Sequence, residues 1–323
     1  MKNPALKNPA LKKTALTKTS LASTVLLAAA LTLTACTNAS ETGTAPKPSA
    51  GGSAAPSFDP TTVTKDDALA AQVPDALKAK GKLVIGTNPQ YAPGEFLAED
   101  GQTQIGYDTD LARAIGAKLG LKVEIATADF PSIIPALGPK YDLGVSSFTI
   151  NAKRLDAVNM VSYFTAGTSW AVKKGNPTGF SVDDVCGKSV GVQTGTVQET
   201  DDLKARNDKC VAAGKKPIDI VSLKAQTDVT TRLANGSIDA MAADSPVIGY
   251  ALQQTQGQLE KVGLVFDSAP QGITVAKQDT ALASLVQKTV TALMKDGSYK
   301  KVLDSWGVGD GALPASELNP VTK

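Results

Sequence analysis

The sequence predicts an α/β fold made of two consecutive strand–helix units. Short apolar runs bounded by turn residues alternate with segments whose apolar side chains recur every three or four residues, and the alternation begins again near Val182. A further observation sets the limits of the folded part: the first 65 residues lack both this pattern and the composition of a core-forming chain.

The leading stretch carries Lys2, Lys7, Lys12, Lys13 and Lys18, with no acidic residue, before an apolar run at residues 21–33. A basic head followed by an apolar core of roughly 7–15 residues is a secretory signal. The run falls short of the ~20 residues that span a bilayer. It ends in Leu33-Thr34-Ala35-Cys36, which resembles the bacterial lipobox. That resemblance implies lipid on the Cys36 thiol and cleavage after Ala35, so residues 1–35 form a lipoprotein signal peptide. Residues 36–65 are rich in Ser, Thr, Ala, Gly and Pro and read as the lipidated cysteine with a flexible linker. Residues 66–323 are left for the folded domain.

The chain has 33 basic and 31 acidic residues. All five signal lysines are lost on cleavage, so the mature protein is mildly acidic and has no basic excess to attract nucleic acid. It contains no histidine, which excludes Ser-His-Asp catalysis and histidine-borne metal sites; no metal and no cofactor are expected. Besides Cys36 there are two cysteines, Cys186 and Cys210, in a compartment that permits disulfides. A bridge between them is expected, with two free buried thiols as the alternative.

Taken in order, residues 83–86 form the first strand candidate, followed by turn-rich chain at residues 87–93 and around Gly101. A helix is expected with Asp108 as its cap, Leu111, Ile115 and Leu119 on one face, and Gly120 as its stop. Residues 123–125 give a strand, 132–137 a short helix and 142–146 a third strand. In the second unit, residues 189–192 form a strand that breaks at Gln193-Thr194-Gly195, and a helix opens at Thr196. Residues 219–221 are a strand and 228–234 a helix. A strand over residues 238–242 ends just before Asp244, and Ser245-Pro246 opens another helix. Leu282, Leu285, Val286, Val290 and Leu293 share the face of a further helix, and Leu303 and Trp306 close a last short one. Ligands of such sheets bind beyond the carboxyl ends of the strands. This singles out residues 87–91, Asp129-Phe130, residues 146–149, residues 193–196 and Asp244.

The same positions carry a family resemblance. Gly106-Tyr107-Asp108-Thr109-Asp110-Leu111-Ala112 resembles the signature of bacterial solute-binding protein family 3, the amino-acid receptors of ABC importers. Ser146-Ser147-Phe148-Thr149-Ile150 leading to Arg154, Gly195-Thr196, Gly236-Ser237-Ile238-Asp239-Ala240 leading to Asp244, and Asp296-Gly297-Ser298-Tyr299 follow in the family's order, between about residues 82 and 308. The resemblance implies a two-lobed periplasmic-binding-protein-like fold of type II, with the lobes joined by two crossing strands. The first lobe would hold about residues 82–169 and 272–323 and the second about 172–271, with crossings near residues 170–174 and 269–276. It implies a monomeric binding protein, lipid-anchored at the extracytoplasmic face, that hands an amino acid to a membrane permease and its ATPase subunits.

An α-amino acid presents a carboxylate and an ammonium, and recognising both out of water takes an opposite charge for each. By the resemblance, Arg154 grips the carboxylate, helped by Thr149 and by the helix start at Thr196. Asp244 pairs with the ammonium, helped by Ser147, while Tyr91 and Phe130 sandwich the aliphatic part. Ser146 and Gln198 are expected to add contacts. Asn88 stands where cation-specific relatives carry aspartate, which argues against a strict basic-amino-acid receptor; Glu95 is the residue able to restore such a preference. The side-chain reading is therefore a polar amino acid, with glutamine or glutamate ahead. Three other classes share the fold: a surface adhesin or non-transport scaffold, a receptor or sensor ectodomain, which would need a transmembrane helix and a signalling domain, and an enzyme of the cyclohexadienyl dehydratase kind, which the absence of histidine disfavours.

Overall fold

The structure is a computed structural model that describes residues 58–321; the expected signal peptide, Cys36 and the linker as far as residue 57 lie outside the described residues. The tether expected up to residue 65 ends sooner. Asp59 caps a 3-10 turn at Pro60–Thr62, and Phe58 and Val63 pack on the core. The Lys118 ammonium then donates to the Thr64 carbonyl, and the Asp66 N–H donates to the Lys118 carbonyl. Two apolar side chains with a surface to bury, plus these bonds, hold the segment down.

Helices α1 (Asp67–Ala71) and α2 (Asp75–Lys80) lead into strand β1 (Lys82–Thr87). The chain read as turns then forms a small antiparallel sheet of β2 (Gln90–Tyr91), β3 (Glu95–Leu97) and β4 (Gln104–Ile105). Strands this short leave no periodic trace in sequence. Helix α3 (Tyr107–Leu119) buries Leu111, Ile115 and Leu119 and stops at Gly120 as expected, but its cap is Gly106 rather than Asp108. At Gly106 φ is +128°, and a Cβ would lie 2.1 Å from the Gly94 carbonyl oxygen, so only glycine fits. Asp108 is inside the first turn and buried. It accepts from the Ser147 N–H at 2.6 Å and from the Tyr163 hydroxyl at 2.5 Å.

Strand β5 (Lys122–Thr127), helix α4 (Phe130–Ile133), strand β6 (Leu143–Gly144) and helix α5 (Ala152–Ala157) complete the first unit. The long strand β7 (Val158–Lys173) leads to the second: β8 (Ser189–Gln193), α6 (Lys204–Ala212), β9 (Asp219–Leu223), α7 (Gln226–Ala234), β10 (Ala240–Asp244) and α8 (Ser245–Gln254). A second long strand, β11 (Leu259–Ala276), returns the chain to helices α9 (Thr280–Lys295) and α10 (Ser298–Ser305) of the first lobe.

The strands form one sheet in the order β5-β1-β6-β11-β7-β10-β8-β9. β1 runs parallel to β5 and β6, and β8 parallel to β9 and β10, while β7 and β11 pair antiparallel in the middle. One end of that central pair carries β6 through Thr274, and the other carries β10 through residues 168–172. Between these ends the pairing slips, between Val262 and Phe266 and again between Phe266 and Ala269. The chain therefore crosses between lobes near residues 166–168 and 266–270. The first crossing lies several residues before the expected 170–174, because Trp170 is second-lobe core: it pairs with Ala242 and Val262 and packs on Phe180.

The first-lobe core sets Leu83 and Ile85 against Leu111, Ile115, Val286 and Leu293. The second lobe has apolar clusters on both sheet faces, one around Val229, Met241 and Ile248, the other around Trp170, Val190 and Leu203. Cys186 and Cys210 are bonded, with Cα atoms 5.6 Å apart, closing a loop with a sequence separation of 24. Replacing both with serine is expected to cost about 3–4 kcal/mol on the chain-entropy model. Urea unfolding of the two proteins under non-reducing conditions measures the difference, and equal midpoints would refute the contribution.

Candidate functional site

The ends of the strands from both lobes converge where the two units meet. From the first lobe come Tyr91 on β2, Phe130 opening α4, Ser146, Ser147 and Thr149 after β6, and Arg154 on α5. From the second come Thr196 and Gln198 after β8, and Asp244 at the end of β10. The lobes touch directly: the Gln193 side-chain amide donates to Asn88 Oδ1 at 3.0 Å, Thr227 donates to Gln90 at 3.0 Å, and Lys224 pairs with Asp129 at 2.7 Å.

Arg154 is placed by a capped turn. Asn151 is the N-cap of α5, and its side chain accepts from the Arg154 N–H at 2.9 Å. The guanidinium lies 5.5 Å from the ring centroids of Phe130 and Phe148, which are stacked 4.6 Å apart. Its Nη1 donates to the Thr149 carbonyl at 2.7 Å and Nη2 to the Gly195 carbonyl of the opposite lobe at 3.3 Å. A guanidinium has five N–H donors, so two bonds to carbonyls leave capacity for a carboxylate. Burial lowers the Arg154 pKa to about 10, with Asp244, Asp201 and Tyr91 opposing the shift; the side chain stays charged at neutral pH.

Asp244 is 5% exposed. Its Oδ1 accepts from the Gln198 amide at 2.9 Å and its Oδ2 from the Gln271 amide at 2.8 Å, while its own N–H donates to the Tyr91 hydroxyl at 3.1 Å. Burial pushes its pKa up to about 6; Gln198, Tyr91, Arg154 and Gln271 each pull it back. Among the described residues Arg154 and Asp244 form no ion pair with each other. They are opposite charges, Arg154 half-buried and Asp244 buried, each held by neutral partners, the arrangement a zwitterion needs.

Behind these residues lies a second buried acid. The Ser146 hydroxyl donates to Glu95 Oε1 at 2.6 Å and accepts from the Asn88 N–H at 3.1 Å. Ser147 takes a left-handed φ of +48°, and its hydroxyl contacts both Glu95 and Asp108. Burial, then the charge of Asp108, raises the Glu95 pKa well above the usual carboxylate range.

Thr196 opens a helix, as expected: its carbonyl accepts from the Thr200 N–H at 3.0 Å, and the helix starts as a π-helical turn, Gln198–Leu203, that runs on into α6. Its own N–H and hydroxyl both donate to the Gln193 carbonyl, and the adjacent Gly195 N–H donates to Glu199, so those donors are engaged within the turn. The sequence reading also passed over Gln271 and Thr168. Gln271 bonds to Asp244, and Thr168 accepts from Gln198 at 3.1 Å. Both lie on crossing strands, and their only sequence signal is a polar residue within a mostly apolar run.

Over residues 83–309 the chain matches the family described as bacterial extracellular solute-binding proteins, family 3. The chain belongs to that family. An arginine-binding protein of Corynebacterium glutamicum is 35% identical over 252 residues, covering 78% of this chain and 82% of the relative. Among solved structures, an ancestral arginine-binding protein bound to arginine is 34% identical with a TM-score of 0.64, covering 70% of this chain and 98% of that one. A structure of an ancestral arginine-binding protein bound to glutamine is 35% identical with a TM-score of 0.62, covering 71% and 98%. For this family 3 protein, the resemblance read from the ordered motifs and the periplasmic-binding-protein fold expected from it are both borne out.

The raised Asp244 pKa has a signed consequence. An ammonium pairs with the ionised carboxyl only, so if Asp244 is the ammonium partner, binding an amino acid requires loss of the proton held below pH about 6. Affinity is expected to be flat above that value and to fall about tenfold per pH unit beneath it. Without ligand the sign is opposite: a carboxyl whose folded pKa exceeds its unfolded one favours the fold at low pH, and this contribution fades as pH rises from 3.8 to about 6. Calorimetric titrations across this range provide the test, and a pH-independent affinity would count against Asp244.

Proposed function

We propose that this family 3 protein is the amino-acid-binding component of an ABC importer, that arginine is its favoured ligand, and that lipid on Cys36 holds it at the outer membrane face. The role is binding rather than catalysis, in keeping with the binding proteins it matches. The permease and its ATPase subunits are the partners this role requires.

One observation carries the choice of ligand. Glu95 is 1% exposed and sits beside buried Asp108, and among the described residues no Lys or Arg pairs with either. A buried acid without a cation is costly to ionise. The guanidinium of an arginine held between Arg154 and Asp244 would supply the missing charge through the wall formed by Ser146 and Ser147. The sequence-based preference for glutamine or glutamate turns on Asn88, whose amide is already bonded to Gln193 and to the Ala128 carbonyl. Glutamine is the second reading, favoured by that same Asn88–Gln193 amide pair at the lobe contact and by the glutamine-bound ancestral relative.

Calorimetric titration with arginine, lysine, histidine, glutamine and glutamate separates the readings. Arginine should bind most tightly, and Glu95→Gln should weaken it about tenfold or more, the scale of a lost charge-assisted bond, while leaving glutamine little changed. Arg154→Ala should abolish binding of both. A preference for glutamine in the unaltered protein, or arginine binding unmoved by Glu95→Gln, would sink the arginine reading. The anchor is tested separately: Cys36→Ser should block incorporation of labelled palmitate, and label still entering the variant would refute it.

A further inference from the structure

We infer that Gln271 is a positioning residue for the ammonium-binding carboxylate: its side-chain amide, carried by the first lobe, completes the hydrogen bonding of Asp244 in the second lobe when the two meet. The inference rests on reading Asp244 as the ammonium partner.

Gln271 is 1% exposed and lies on β11 just past the crossing. Its backbone is tied to the first lobe on both sides. The Pro270 carbonyl accepts from the Ile150 N–H, and the Gly272 N–H donates to the Phe148 carbonyl, each at 2.8 Å. Asp244 belongs to the other lobe, where β10 pairs with β8 and with the second-lobe end of β7. The 2.8 Å bond from Gln271 Nε2 to Asp244 Oδ2 therefore spans the lobes, whereas Oδ1 is held from within its own lobe by Gln198. The Tyr107 hydroxyl donates to Gln271 Oε1 at 3.4 Å, which turns the amide nitrogen towards Asp244.

The chemistry suits the task. A carboxylate that must pair with an ammonium needs its direction fixed and its ionised form favoured, without a rival cation beside it. Two neutral amides do both, since hydrogen bonds to the charged form favour that form. The ionisable groups around Asp244 are Arg154 on α5 and Tyr91 on β2, with Tyr107 on α3 beyond Gln271 and Glu95 on β3 beyond Tyr91. Gln271 is a neutral donor among them, and it is delivered only by the opposite lobe. Its effect on Asp244 is thereby coupled to lobe contact, and lobe contact is what traps a ligand.

The test is Gln271→Met, which keeps the side chain's length and removes the amide. Both proteins are titrated calorimetrically with arginine and with 5-guanidinopentanoate, an arginine lacking the α-ammonium, from mildly acidic to neutral pH. The variant is expected to bind arginine about tenfold more weakly, with the acid limb moved to higher pH, and to bind the desamino analogue almost as the unaltered protein does. Unchanged arginine affinity with an unchanged limb would overturn the inference. So would an equal loss for both ligands, which is the mark of a merely structural residue. If the methionine variant does not fold, Gln271→Glu is used: a carboxyl beside Asp244 must move the limb upward, and an unmoved limb is again fatal. Failure of the unaltered protein to bind any amino acid is a separate result, which removes the amino-acid reading and this inference with it.

Discussion

The antiparallel pairing of β7 with β11, from Val158 opposite Ala276 to Lys173 opposite Leu259, is the constraint on which the rest of the molecule depends. Each strand belongs to both lobes, so the lobes share one ladder rather than a flexible linker. The register breaks at Phe266 and Ala269 fall between the stretch that carries β6 and the stretch that carries β10. The ladder loses its regular register there, between the two lobes' cores. Everything in the candidate site is placed relative to this hinge: Thr149 bridges to Gln271, Thr168 receives Gln198, and Arg154 reaches over to the Gly195 carbonyl.

Buried acids back the site, and two of them, Glu95 and Asp108, share a hydrogen bond. Asp108 is locked into the first lobe by the Ser147 N–H and the Tyr163 hydroxyl, which fixes the loop carrying Ser146 to Thr149. Glu95 shares the same serines. Two carboxyls this close in a dry setting resist simultaneous ionisation, and burial raises both pKa values. A cation approaching Ser146 and Ser147 would reverse that balance. Among the described residues the fold thus leaves Glu95 and Asp108 without a cation and keeps Arg154 and Asp244 from pairing with each other.

The sequence disclosed what periodicity and motif order encode. The four-residue spacing of Leu111, Ile115 and Leu119, the apolar β1 and β8 runs, and Pro246 at a helix start all correspond to observed elements. It misled where local chemistry has two solutions. Asp108 has the look of a helix cap, yet Gly106 takes that place, because the backbone passes too close to Gly94 for a side chain and the acid is needed inside. Thr196 does start a helix, but its own N–H and hydroxyl and the Gly195 N–H are spent inside the turn rather than left for an anion. Gln271 and Thr168 were invisible because their importance comes from strands nearly a hundred residues apart being paired, which no local pattern records.

Neutral partners explain how such a site both holds and releases. Had Arg154 and Asp244 been bonded to each other, a ligand would have to break a buried ion pair before forming two new ones, at a cost of several kcal/mol. Instead Arg154 donates to the Thr149 and Gly195 carbonyls, and Asp244 accepts from Gln198 and Gln271. These bonds keep each charge solvated by the protein without cancelling it. On the proposed reading a zwitterion meets Arg154 and Asp244 already held within their own lobes by the Thr149 carbonyl and the Gln198 amide, so it has no ion pair to break. The cross-lobe bonds, Gln271 to Asp244 and Arg154 to Gly195, need the lobes in contact, so on the proposed reading occupancy and closure favour each other. Opening the hinge withdraws one donor from Asp244 and one acceptor from Arg154 together, which weakens both ends of the grip in a single motion.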